Sequence, residues 1–273
     1  RAGARGRGAR SGRAGPDAPG GAADRRIDAA GRLLLPGLVD LHGDDVESHV
    51  FPRDGVRADL PVALRSADRA NVAAGITTKF HAVSFMDRAS ADRSTELATE
   101  LARRLADDDA LLADHRFHAR CELTDPDGVA TVERAIDEGL VDLVSVMTHV
   151  PGRGQYRNVD SFEAWFETRT GMDRERARER WESQRSIPER RLRERAVRTI
   201  EAGREAGIAV ASHDDADAAS VRRRAEAGVD LCEYPVTMAA AEAAREAGLT
   251  TAMGAPNLVR GGSQRGNLAT SPA

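Results

Sequence analysis

The stretch that decides the reading of this chain is Pro36–Asp45, PGLVDLHGDD. It continues an apolar run (Leu33, Leu34, Leu35, then Leu38, Val39 and Leu41) that stops abruptly in His42, Gly43, Asp44 and Asp45. Such a run predicts a buried strand with polar, metal-competent groups at its C-terminal end. Residues two apart on a strand point to one side, so His42 and Asp44 can face one ion together. Gly43 between them would let the backbone approach whatever is bound. Taken alone, an H-x-D triplet is more often a strand end with a solvated acidic turn. The later apolar runs, which end in the same way, shift that balance.

Outward from this strand the chain alternates. Residues 66–74 read as a helix ending at Gly75, and Ile76–Val83 as a strand. Residues 92–108 read as a helix with Leu97, Leu101 and Leu105 on one face, followed by a strand at Arg116–Leu123. Residues 127–138 read as a helix capped by Asp127 and stopped by Gly139. Strands are predicted at Val141–His149, Ile208–His213, Val229–Tyr234 and Thr250–Met253, with short helices at residues 216–227 and 238–247. Strands alternating with helices imply a parallel sheet, and seven units in a row favour an α/β fold of the (β/α)8 TIM-barrel type. The domain reading follows. Residues 1–26 are an Arg/Gly/Ala-rich tail expected to be disordered, and 27–35 form a hairpin-like lead-in with Gly31 at its turn. Residues 36–267 form the barrel, with a charged helical insertion at about 151–206, and 268–273 are a truncated end. No eighth strand is legible and the chain opens on Arg1, so further sequence is expected at both ends.

Composition narrows the class. The chain has 273 residues, 41% of them hydrophobic and 4% aromatic, and a formal net charge of -4. Seven arginines against Asp17 and Asp24 make residues 1–26 basic, so the remainder is more acidic than the total suggests. Lys79 is the only lysine, and an arginine-biased, acidic-surfaced chain is not a nucleic-acid footprint. No run approaches the ~18 apolar residues of a membrane span, and no signal-peptide core follows the basic start. Cys121 and Cys232 lie within apolar runs, where a buried, reduced thiol is expected. A soluble, cytoplasmic protein is the expectation.

Barrel active sites lie at the C-terminal ends of the strands. Here the first strand ends in His42 and Asp44 and the third in Glu122, with Arg120 and His118 on the same face. The fourth ends in His149 and the fifth in His213, Asp214 and Asp215. Imidazoles and carboxylates on one rim suit one or two divalent ions, zinc first, with manganese, iron, nickel or cobalt also compatible. Glu122 is placed to bridge two such ions about 3.5–4 Å apart. Each of these histidines alone is more often a satisfied polar residue; four strands ending this way argue for a site. After the seventh strand, MGAPNLVRGGS (Met253–Ser263) places Arg260, Gly261, Gly262 and Ser263 where barrels commonly bind phosphate. Arg153, Gln155 and Arg157 could add donors, although solvated loop arginines are the commoner case.

GRLLLPGLVDLHGDD resembles the entry motif of the amidohydrolase superfamily of metal-dependent hydrolases. RCEL (Arg120–Leu123), SHDD (Ser212–Asp215) and MGAPNLVRGGS resemble its α-D-ribose 1-methylphosphonate 5-triphosphate diphosphatase branch, of the carbon–phosphorus lyase pathway of phosphonate breakdown. The resemblance spans roughly Gly31 to Asn267. It implies hydrolysis of the ribosyl 5-triphosphate to the 5-phosphate plus pyrophosphate. It implies as metal ligands His42, Asp44, Glu122, His149 and His213. The superfamily also carries an eighth-strand Asp that accepts a proton from water. No Asp or Glu follows Glu246 here, and Glu233, at the end of the sixth strand, is the nearby carboxylate that could substitute. Most of the small β domain that relatives build from both termini is absent as well. Two other readings remain open: a hydrolase acting on a cyclic amide or an N-acetyl sugar phosphate, and a truncated, non-catalytic copy. The expected partner is the phosphorylated ribose substrate, with exposed strand edges that could support a homo-oligomer.

Overall fold

The computed structural model describes residues 28, 30–86, 94–107, 110–150, 174–262 and 268. Seven strands form one sheet in sequential order: β1 (Leu38–Gly43), β2 (Ile76–Phe85), β3 (Asp114–Glu122), β4 (Leu143–Met147), β5 (Ala209–His213), β6 (Leu231–Glu233) and β7 (Thr250–Ala252). Every neighbouring pair is parallel. All seven strands read from the sequence are present, most of them a few residues shorter or longer than expected.

The sheet is curled. Across a flat sheet β1 and β6 would lie five strand spacings apart, roughly 24 Å. Yet His42 on β1 reaches Glu233 on β6 at 3.3 Å. Only curvature toward a barrel lets side chains of these two strands meet. Alternation along each strand then sorts residues to two sides. On β3, Phe117, Ala119 and Cys121 join the buried apolar cluster with Val83 and Phe85 of β2, Val144 and Val146 of β4, and Val210 of β5. The intervening residues His118, Arg120 and Glu122 are also buried, but face the concave side.

The described helices are α1 (Val46–Val50), α2 (Leu60–Ala73), α3 (Thr95–Asp107), α4 (Pro126–Asp137), α5 (Arg174–Arg185), α6 (Glu189–Glu205), α7 (Ala218–Ala227), α8 (Met238–Glu246) and α9 (Ala255–Arg260). Of these, α1–α4 and α6 add side chains to the apolar cluster, α7 and α8 pack around Cys232, and α9 buries none. On α3 the predicted Leu97, Leu101 and Leu105 stripe is buried, with Ala98 and Ala102 beside it. On α6, Leu192, Ala196, Thr199, Ile200 and Gly203 form the equivalent stripe. The α7 start is held by a reciprocal capping box between Asp217 and Ser220, and the helix closes on Gly228 at φ 99°.

Several local expectations are corrected. Helix α2 starts at Leu60, six residues earlier than expected, with Pro61 in its first turn, where a missing N–H costs nothing. The cap of α4 is Asp125, whose carboxylate accepts the N–H groups of Asp127 and Gly128, and not Asp127. The lead-in turns at Ala30 and Gly31, but residues 32–37 hold no strand. Leu33, Leu34 and Leu35 are 87%, 94% and 73% exposed, and Leu38 and Val39 at the start of β1 are 59% each, so the buried strand expected of that apolar run is not found there. The Gly-rich segment after β7 contains a short helix, α9, which Gly261 ends at φ 70°. The tail 1–26 and residues 151–173 of the insertion, with Arg153, Gln155, Arg157, Trp165 and Phe166, lie outside the described residues, as does Ser263. No helix among the described residues is long and apolar enough to cross a membrane.

Candidate metal centre

His42 reaches the concave side through an irregularity in its own strand. Register with β2 shifts between Asp40, which pairs with Lys79, and Gly43, which pairs with His81. A bulge of this kind re-aims side chains. Asp40 is left outside the site, where it meets the Lys79 ammonium at 2.8 Å, and His42 points in. Gly43 has a different role from the one expected. A Cβ there would collide with the buried Lys79 side chain, so this glycine makes room for a lysine that also meets Asp45 at 3.1 Å.

His42 joins a tight group. Its Nδ1 lies 3.3 Å from Glu233 Oε1, its ring stacks on His213 with centroids 5.1 Å apart, and it meets His118 edge-on at 5.1 Å. Glu233 is fully buried and touches three imidazoles: His42, His213 Nδ1 at 3.3 Å and His118 Nε2 at 3.8 Å. His118 is held from both ends, by the Leu41 carbonyl at 3.1 Å and the Ser145 hydroxyl at 2.9 Å. Beside this group, His149 Nδ1 lies 2.5 Å from Glu122 Oε2, and the Thr124 hydroxyl donates to the other Glu122 oxygen at 2.8 Å. Asp214 Oδ2 is 3.4 Å from Nε2 of both His149 and His213.

Two of these residues sit on unusual backbone. Asp214 (φ 57°) and Tyr234 (φ 52°) directly follow β5 and β6 in the left-handed region, which non-glycine residues seldom occupy. Backbone bonds support the turns, from Asp214 N to Glu233 O at 3.0 Å and from Tyr234 N to Ala252 O at 2.9 Å. The Tyr234 ring then closes edge-on over His42 (5.0 Å) and His213 (5.3 Å).

The electrostatics of the His42, His118 and Glu233 group suit cation binding. Burial lowers the pKa of His42 despite Glu233, and pushes His118 down to about 3, so both imidazoles are neutral lone-pair donors. Glu233 is buried, which alone would raise its pKa, but His118, His213 and His42 hold it well below the ordinary carboxylate range. Burial and Glu122 act in opposite directions on His149, and the partner prevails, raising it to about 9. Glu122 falls correspondingly, against its burial, through His149 and Thr124.

Two sets of three donors converge closely enough to hold an ion: His42, His118 and Glu233, and His149, His213 and Asp214. Each set combines two imidazoles with a carboxylate, a donor chemistry that fits zinc and its neighbours. Of the residues predicted from sequence, His42, His149 and His213 fall in these sets, and Glu122 braces His149. Asp44 faces the same side but turns to Arg120 Nη1 at 3.4 Å, outside both sets. Arg260 and Gly261 are exposed at the end of α9, and Gly262 follows them. Sequence reasoning placed His118 and Asp214 on the rim without counting them among the implied ligands, and it did not single out Tyr234. The period of two flags His118 on the Glu122 face, whereas nothing local announces the left-handed turns.

Similarity to known proteins is uneven. No family model matches the chain. The chain is 35% identical over 251 residues to the α-D-ribose 1-methylphosphonate 5-triphosphate diphosphatase of Escherichia coli (strain K12), an alignment that covers 90% of this chain and 66% of that protein. The chain therefore spans just under two thirds of the length of that relative. Among solved structures, 5-methylcytosine deaminase from Klebsiella pneumoniae matches with a TM-score of 0.49 at 14% identity, covering 85% of this chain and 58% of that one. L-hydantoinase from Arthrobacter aurescens gives a TM-score of 0.36 at 17% identity, covering 80% and 51%.

Proposed function

We propose that this chain is a member of the α-D-ribose 1-methylphosphonate 5-triphosphate diphosphatase family and that it carries the metal site of a hydrolase cleaving the 5-triphosphate to the 5-phosphate and pyrophosphate. The observation that carries the reading is the pair of adjoining donor sets at the C-terminal ends of the strands, joined through Glu233 and His213.

His42, His118 and Glu233 would hold one divalent ion, and His149, His213 and Asp214 a second, with zinc the first choice. Such ions would supply Lewis acidity, offsetting charge on phosphoryl oxygens and making a water more acidic. The protein's own residues do the positioning. Ser145 and the Leu41 carbonyl fix the His118 ring from both sides. Thr124 and the His149 backbone N–H, at 3.2 Å, fix Glu122, which in turn orients His149. Glu233 is a shared anchor; a carboxylate held so far below neutrality is a weak proton acceptor at pH 7. Tyr234 covers His42 and His213 and limits water around the rings. In this assignment His118, Asp214 and Glu233 join the donors, and Asp44 stands with Arg120.

The decisive measurement is product identity. Incubation of the metal-loaded chain with the ribosyl 5-triphosphate should release pyrophosphate, and a chelator should stop it. Orthophosphate as the sole product, or hydrolysis of a cyclic amide in place of the triphosphate, would overturn the assignment.

A further inference from the structure

Arg120 has no part in either donor set, yet it lies between His118 and Glu122 on the concave face of β3 and is only 8% exposed. Its Nε is shut off from solvent with no hydrogen-bond partner. Its Nη1 meets Asp44 Oδ1 at 3.4 Å, at the long end of hydrogen bonding. A permanent cation with an unused buried donor is expensive unless something else completes it. Asp44 is the accessible partner of the pair, with a side chain 37% exposed against 9% for Arg120.

The geometry points to Arg120 as a substrate-binding residue that receives a phosphoryl group of a polyphosphate, with Asp44 holding the guanidinium in the absence of ligand. This rests on the diphosphatase reading. A guanidinium fork matches two phosphoryl oxygens at once and binds them more strongly than one long carboxylate contact. The neighbouring donor sets place that phosphoryl group within the site, and the charge of Arg120 opposes the surrounding carboxylates that would otherwise repel it.

The test is calorimetric titration of the metal-loaded full chain with inorganic pyrophosphate and tripolyphosphate, alongside elemental analysis of bound metal. Arg120→Gln should weaken both anions roughly 10- to 100-fold while metal content is unchanged. Arg120→Lys, which keeps the charge and loses the fork, should fall between. If Arg120→Gln does not fold, Arg120→Lys decides alone. Wild-type affinity in the variants would overturn the role, as would a loss of affinity matched by an equal loss of metal, which marks a structural part. If the wild-type chain binds neither anion, the diphosphatase reading falls, and the role of Arg120 with it.

Discussion

At the scale of single residues, Glu233 concentrates the chemistry. Its two oxygens are divided among His42, His213 and His118, and it is fully buried. Neutralising it while keeping its shape should therefore act on all three rings at once. Glu233→Gln removes the anion of one donor set and leaves imidazoles facing an amide that can present a donor to them. We expect most of the divalent metal to be lost, since removing even a group that only supports the ligands typically costs 10–100-fold in affinity. Elemental analysis after purification without chelator reads this directly. Metal retained at wild-type stoichiometry would show that Glu233 is not part of the site. The two cysteines mark the contrast. Cys121 and Cys232 are buried thiols whose pKa burial raises to about 12, so both are inert at neutral pH.

At the scale of elements, the site depends on how closely helices approach the strands that carry it. Gly128, in the first turn of α4, is buried against β2, and a Cβ at this position would collide with the Phe85 carbonyl oxygen. The obstacle is backbone, so it cannot rotate away. Gly128→Ala should therefore destabilise the protein by about 1–3 kcal/mol, the usual range for overpacking. The gain in helix propensity, at most about 1 kcal/mol, offsets only part of this. Urea denaturation measures the difference, and an unchanged midpoint would show that α4 can shift outward freely. Asp125 makes the same junction from its other side, accepting the N–H groups of Asp127 and Gly128 at 3.1 Å each.

At the scale of the whole molecule, a second buried polar network ties α2, β2 and β3 together away from the donor sets. Asp68 on α2 accepts the backbone N–H groups of Leu112 and Ala113 and contacts His115 Nε2 at 2.9 Å. His115 Nδ1 meets His81 Nε2 at 2.7 Å, with the two rings stacked. Burial, then His115, Lys79 and His49, push the His81 pKa down to about 3. The folded state thus resists a proton that the unfolded chain accepts near 6.5. This contribution is fully present above pH 6.5 and is lost as pH falls from there toward 3, on the order of a few kcal/mol in all. Asp68 acts in the same direction. Although burial would raise its pKa, Ala113, His115 and Leu112 hold it low, so acid removes its stabilisation too. Thermal unfolding followed from pH 7 to pH 4 should show a steep fall in the wild-type chain and a shallower one in His81→Gln. Equal slopes would place the acid sensitivity elsewhere.

Fold class and the raw material of the site are written locally. Leu97, Leu101 and Leu105 mark a helix face, short apolar runs mark strands, and several of those runs end in a polar residue that later lines the site, because both periods repeat within a few residues of chain. His42, Glu122, His149 and His213 could be picked out for that reason, and the Arg120 face followed from the period of two. What these residues touch is a different matter. His42 meets Glu233 across 191 positions of sequence, through a curvature that belongs to the whole sheet. The register shift that turns His42 inward depends on pairing with β2, and the left-handed turns that bring Asp214 and Tyr234 over the rings rest on bonds to the next strand. Asp44 shows the division within one motif. Its place two residues after His42 set its side of the strand, and only the position of Arg120 on β3 decided that it pairs with a guanidinium and not with the histidines.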